Sequence, residues 1–129
     1  MQNVSVLLVE DNRDDEYITL WTLKKIGLTN VTIAHDGLEA LELLHGNIET
    51  GTKTTCAPDV IFLDLKLPKI DGLVVLERIR MDERTKDLKV IILTSSEDPH
   101  DKEVCLKLGV SGFLSKPLKD KAILNQNIL

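Results

Sequence analysis

Residues 60–72 read VIFLDLKLPKIDG: four apolar residues run straight into Asp64, and a Lys-Leu-Pro segment then leads to a turn closed by Gly72. A carboxylate at the end of a buried run costs free energy unless something there needs its charge. The run is brief and starts with two β-branched residues, as strands buried on both faces do. Similar runs stand at VSVLLV (4–9), VTIA (31–34), VIIL (90–93) and, more weakly, GFLS (112–115).

Segments with helical spacing alternate with these runs. Over 14–27, Leu20, Leu23 and Ile26 share one side, and Gly27 suits a helix stop. Gly37, Ala40, Leu41 and Leu44 form an i, i+3, i+4, i+7 stripe. Leu73, Leu76 and Ile79 form a third pattern with Arg80 as its polar edge, and Val104 with Leu108 a fourth, followed by Gly109. Residues 119–129 give a weaker fifth. Strand-then-helix units of this kind predict right-handed crossovers and a parallel sheet between two helix layers. The polar connection HGNIETGTKTTCAP (45–58) is long, and is either a surface insertion or a recognition loop.

Composition narrows the function. A chain of 129 residues with 43% hydrophobic and 29% charged residues fits one globular domain. No apolar run approaches the roughly 20 residues of a membrane span. The N-terminus lacks the basic and small-residue flanks of a secretory signal, so a cytoplasmic location is expected. A net charge of −5 argues against general nucleic-acid binding. Cys56 and Cys105 form no CxxC, and read as reduced thiols. His35, His45 and His100 are scattered, and read as surface or satisfied side chains rather than ligands.

In an open parallel sheet, functional groups gather at the carboxyl ends of the strands. Those ends carry Glu10-Asp11, Asp64, Thr94-Ser95-Ser96 and Ser115-Lys116-Pro117; the second strand ends in His35 and Asp36. Carboxylates crowded together cannot all stay ionised without a cation. Oxygen-only ligands without clustered His or Cys point to Mg²⁺. With that charge offset, a carboxylate oxygen can act as a nucleophile toward a phosphoryl group, whose oxygens suit the ammonium of Lys116 and the hydroxyl of Thr94. A single strand-terminal Asp is ordinarily a cap or turn residue; the four ends taken together carry the functional reading.

The motifs VEDN (9–12), FLDLKLPKIDG (62–72), ILTSS (92–96) and FLSKP (113–117) resemble, in type, order and spacing, the signature of response-regulator receiver domains. The resemblance covers essentially the whole chain. LDLKLP, LTSS and the long 45–58 loop are most similar to single-domain regulators associated with bacterial phytochromes. The resemblance implies a flavodoxin-like, CheY-like (βα)5 sandwich, a doubly wound parallel sheet in order 2-1-3-4-5. It also implies one receiver domain over 1–129 without a separate output domain.

The roles it implies are specific. Asp64 accepts the phosphoryl group. Asp11 and Asp64 ligate Mg²⁺ with the backbone carbonyl of Lys66, while Glu10, which replaces the commoner Asp, acts mainly through water. Thr94 and Lys116 bind phosphoryl oxygens, Phe113 is the switch aromatic, and the peptide bond before Pro117 is cis. Lys66 and Ser96, two residues past Asp64 and Thr94, bear on phosphate lifetime or on a partner. The expected partners are a sensor histidine kinase, of phytochrome type in the nearest resemblance, or a histidine phosphotransfer protein, and a downstream protein target. No enzyme activity is expected beyond self-phosphorylation and slow autodephosphorylation. A homodimer stays open, since KDKAILNQNIL offers little for a helical interface. Receivers meet the histidine donor on their first helix, so Tyr17 and Trp21 are either docking residues or a widening of that helix's core face.

Two other aspartate- or phosphate-using folds fit less well. A haloacid-dehalogenase-type phosphatase needs a second Asp two residues after the first, where this chain has Lys66. A flavodoxin-like electron carrier needs a hydroxyl-rich loop after its first strand, where VEDNRDD would repel a flavin phosphate.

Overall fold

Successive strand residues point to opposite faces of a sheet, so an unbroken apolar strand requires cover on both sides. The computed structural model, which describes residues 4–47, 49, 51 and 57–119, provides it. Strands β1 (Ser5–Val9), β2 (Asn30–Ala34), β3 (Val60–Leu63), β4 (Lys89–Thr94) and β5 (Gly112–Ser115) form one parallel sheet in the order β2-β1-β3-β4-β5. Leu7, Val9, Ile61, Leu63, Val90 and Ile92 face helices α2 (Gly37–His45), α3 (Gly72–Met81) and α4 (Pro99–Lys107). Val6, Leu8, Val60, Phe62, Ile91 and Leu93 face the other way, toward Leu23 of α1 (Arg13–Lys25) and Leu118. This is the doubly wound, flavodoxin-like architecture that the sequence implies. The expected fifth helix lies outside the described residues from position 120 onward, as do Cys56 and half of the long connection.

The helices start where short polar side chains can cap them. Asn12, Asp36 and Asp98 each accept a hydrogen bond from a backbone N–H in the first turn of α1, α2 and α4, and Pro99 opens α4. Gly27 and Gly109 follow α1 and α4 at φ of 90° and 72°, in the left-handed region that ends helices. The buried face of α1 is broader than its apolar residues suggest. Thr19 and Thr22 are buried beside Leu23, and the Thr22 hydroxyl donates to the Leu118 carbonyl. On α4 the fully covered positions are Asp101 and Cys105, with Val104 and Leu108 only half-buried. A polar residue can take the inner position there because Ser96 donates a hydrogen bond to it.

Arg80 is more than a polar edge to α3. Its guanidinium donates to the carbonyls of Lys86 (3.0 Å), Leu88 (2.7 Å), Leu108 (2.7 Å) and Gly109 (3.2 Å). It thereby joins the end of α3 to the β4 approach and to the end of α4. Nearby, the Thr85 hydroxyl donates to the Ile79 carbonyl and accepts from His45 Nε2 at 2.9 Å. Among the described residues, no helix is long and apolar enough to cross a membrane.

Candidate functional site

The strand order reverses at β1, which lies between β2 and β3, and the site opens at the carboxyl ends beside that point. Strand register decides what meets there. Val9 pairs with Leu63, so Glu10 and Asp64, the next residues, leave the sheet side by side. The Asp64 N–H donates to the Val9 carbonyl (3.2 Å) and the Lys116 N–H to the Thr94 carbonyl (3.0 Å), which carries the ladder to the rim of the pocket.

Asp64 is 5% exposed. Its Oδ2 lies 2.7 Å from Lys116 Nζ, and its Oδ1 accepts from the Lys66 N–H at 3.2 Å. Glu10, 1% exposed, places Oε1 2.7 Å from the same ammonium, while Oε2 accepts from the Asn12 N–H at 3.2 Å. Burial raises the Glu10 pKa above the usual carboxylate value, against the opposing bonds from Lys116 and Asn12. Burial alone would lower the Lys116 pKa; its bonds to Asp15, Asp64 and Glu10 together raise it above the ordinary lysine value.

Asp11 is exposed, and oxygens of Glu10, Asp11 and Asp64 lie within 4.8 Å of one another. This donor set is all carboxylate and open on one side, so it suits a hard divalent cation that keeps some of its water. The acidic pocket of the sequence reading is therefore assembled.

The segment after Asp64 is held by close backbone packing. A Cβ on Gly72 would run into the Asp64 carbonyl and Leu65, and the Gly72 N–H donates to the Leu65 carbonyl at 3.0 Å. A Cβ on Gly37 would strike the Ile70 carbonyl, so the start of α2 abuts the same segment. Lys69, at φ 67°, lies 3.4 Å from Asp36, which brings the end of β2 to bear on that loop as well. Asp36 is held below the usual carboxylate pKa, chiefly by the Glu39 N–H and, against some burial, by Lys69.

Thr94 is fully buried, and its hydroxyl oxygen accepts from the Ser96 N–H at 3.2 Å. The Ser96 hydroxyl donates to Asp101 Oδ2 at 2.9 Å, and Lys66 Nζ stands 4.0 Å from that carboxylate. Phe113, on β5, is half-buried, with the Lys102 ammonium 5.9 Å from its ring centre. The Lys116–Pro117 bond is cis. Tyr17 and Trp21 are 72% and 57% exposed, which settles them as surface residues rather than a wider core face. Trp21 has the Lys25 ammonium 4.6 Å from its ring centre.

The sequence reading missed two acidic residues. Asp15 lies 2.8 Å from Lys116 Nζ, and Asp101 is the buried acceptor of Ser96. Asp15 had a readable signal: it follows Asp11 by four residues at a helix start, which returns it to the same side. Asp101 had none, because its burial depends on how α4 sits on the sheet.

A family model described as the response regulator receiver domain matches residues 6–127. The osmosensing histidine protein kinase SLN1 of Saccharomyces cerevisiae is 34% identical over 117 residues, which cover 91% of this chain and 9% of the kinase. The chain thus spans a small part of that relative. Among solved structures, the bacteriophytochrome response regulator AtBRR superposes with a TM-score of 0.82 at 37% identity, covering 96% of this chain and 89% of that one. The Mn(2+)-bound form of response regulator Rcp1 gives 0.81 at 33% identity, covering 97% and 91%.

Proposed function

Since the chain belongs to the response regulator receiver domain family of two-component signalling, we propose that it takes a phosphoryl group from a histidine kinase or a histidine phosphotransfer protein onto Asp64. The observation that carries this reading is the setting of Asp64. One oxygen lies 2.7 Å from the Lys116 ammonium, and the carboxylate is grouped within 4.8 Å with Glu10 and Asp11. Similarity to a bacteriophytochrome response regulator favours a phytochrome-type kinase as the donor.

In the transfer, an Asp64 oxygen bonds to phosphorus while the bond from phosphorus to the donor imidazole nitrogen breaks, its electron pair returning to that nitrogen. Lys116 and the Thr94 hydroxyl bind the phosphoryl oxygens. Asp11, Asp64 and the Lys66 carbonyl would hold Mg²⁺, with Glu10 acting through water, and the ion would offset the charge that gathers between carboxylate and phosphate. The chain's catalysis is limited to this self-phosphorylation and slow loss of the phosphate.

The Thr94 hydroxyl gives up its contact with Ser96 when it turns to a phosphoryl oxygen, and Phe113 moves into the space so left. The phosphate thereby favours one of two arrangements and changes the protein-binding surface over residues 99–118. Output is binding of a target protein there, or passage of the phosphate to another histidine. Tyr17, Ile18 and Trp21 form the exposed apolar face of α1 that meets the donor.

The test is intact-mass analysis after incubation with acetyl phosphate and Mg²⁺. Wild type should gain one phosphoryl group and Asp64→Asn none. Absence of any gain in wild type overturns the reading. Tyr17→Ala with Trp21→Ala should slow transfer from a kinase while leaving acetyl phosphate labelling intact.

A further inference from the structure

Resting on the phosphoacceptor reading of Asp64, we propose that Asp15 is a positioning residue that anchors the Lys116 ammonium and aims it at the phosphoryl group.

An ammonium has three N–H donors and no acceptor. In this chain all three can be matched with carboxylates: Glu10 Oε1 at 2.7 Å, Asp15 Oδ2 at 2.8 Å and Asp64 Oδ2 at 2.7 Å. The three acids come from the segment after β1, the first turn of α1 and the end of β3. The Lys116 side chain is only 10% exposed. Three fixed anions therefore select one position for a side chain that otherwise has many rotamers.

The three are not equivalent. Glu10 and Asp64 belong to the acidic group that suits a divalent cation, and Asp15 does not. A cation drawn to Glu10 and Asp64 competes with Lys116 for both. Asp15 is then the anchor that keeps its hold. When a phosphoryl group on Asp64 replaces the carboxylate oxygen as acceptor, the bond to Asp15 can persist and the free N–H points at the new oxygens.

The local structure suits this role. Asn12 Oδ1 accepts the Asp15 N–H at 2.9 Å, which fixes Asp15 in the first helical turn. An acid there is also favoured by the helix dipole. That simpler role, stabilising the start of α1, is what the experiment must separate from positioning.

Beryllofluoride with Mg²⁺ serves as the probe, because it occupies a phosphorylated carboxylate's place without covalent transfer. Its affinity is measured by NMR titration for wild type, Asp15→Ala and Asp15→Asn, beside thermal melts. Positioning predicts about tenfold weaker binding in Asp15→Ala, the order of one charge-assisted hydrogen bond. Asp15→Asn, which keeps an acceptor oxygen without the charge, should fall between. The Lys116 side-chain ammonium resonance should shift in both variants.

Binding equal to wild type in Asp15→Ala overturns the proposal, whatever its melting temperature. If Asp15→Ala does not fold, Asp15→Asn decides, and wild-type affinity in that variant overturns it. Failure of wild type to bind beryllofluoride defeats the reading of Asp64 instead, so the two failures are distinct.

Discussion

Lys116 and Asp64 meet at 2.7 Å although they leave strands β5 and β3, which are not neighbours, with β4 running between them. The lysine stem spans the end of β4 to reach the acid. Lys116 is thus a positive group bonded to three carboxylates in a largely buried place. Taking it away leaves like charges facing one another. Lys116→Ala should lose about 3 kcal/mol of stability in EDTA and recover much of it in excess Mg²⁺. Urea unfolding under the two conditions checks this; an equal loss in both would show that the acids need no cation.

Asp11 is the exposed member of the acidic group, so it is placed to serve an ion rather than packing. A ligand that binds only the folded state stabilises it by about 2.7 kcal/mol at one hundred times its Kd. Wild type should gain on that order from saturating Mg²⁺, and Asp11→Asn should gain little at the same concentration while matching wild type in EDTA. Thermal melts across a Mg²⁺ series provide the comparison.

At Gly72 the backbone itself sets the limit. Any Cβ would meet the Asp64 carbonyl and Leu65, and neither belongs to a flexible side-chain end. Gly72→Ala should cost about 3 kcal/mol and shift the Asp64 and Leu65 amide resonances, since the turn that follows Asp64 must move. Denaturant midpoints with amide NMR would show both effects, and a wild-type midpoint would contradict the close packing.

His45 should make stability fall on the acid side. Burial, aided by Arg84 and opposed by Asp82, holds its pKa below the ordinary 6.5. A histidine whose folded pKa is depressed binds fewer protons folded than unfolded. Its contribution is whole above pH 6.5 and is lost as pH falls from there through the folded value. Urea midpoints from pH 7.5 to 5 should decline, and His45→Gln should flatten that slope.

Much of this is legible in the sequence. Near-continuous apolarity in 6–9, 60–63 and 90–93 reports strands covered on both faces, and each such strand must end where polar groups can be tolerated. The architecture and the meeting of Glu10, Asp11, Asp64 and Lys116 follow from that logic and from the shared motifs. What escaped were contacts fixed by tertiary packing. Thr19 and Thr22 do not look like core residues until the Leu118 carbonyl is placed beside α1. Asp101 resembles an ordinary first-turn acid until Ser96 covers it. Val104 and Leu108 marked the right helix, but Cys105 sits deeper because α4 lies rotated toward the sheet.

The four carbonyls gathered by Arg80 govern how α4 can respond. Two of them, Leu108 and Gly109, terminate that helix, while near its opposite end Asp101 is met by the Ser96 hydroxyl and, at 4.0 Å, by the Lys66 ammonium. A rod bolted at its foot can only swing at its head. Nine residues make a rod roughly 13 Å long, so a tilt of roughly ten degrees carries the head roughly 2 Å. In such a tilt the fulcrum would be Arg80, and the travel would be delivered at Pro99–Lys102.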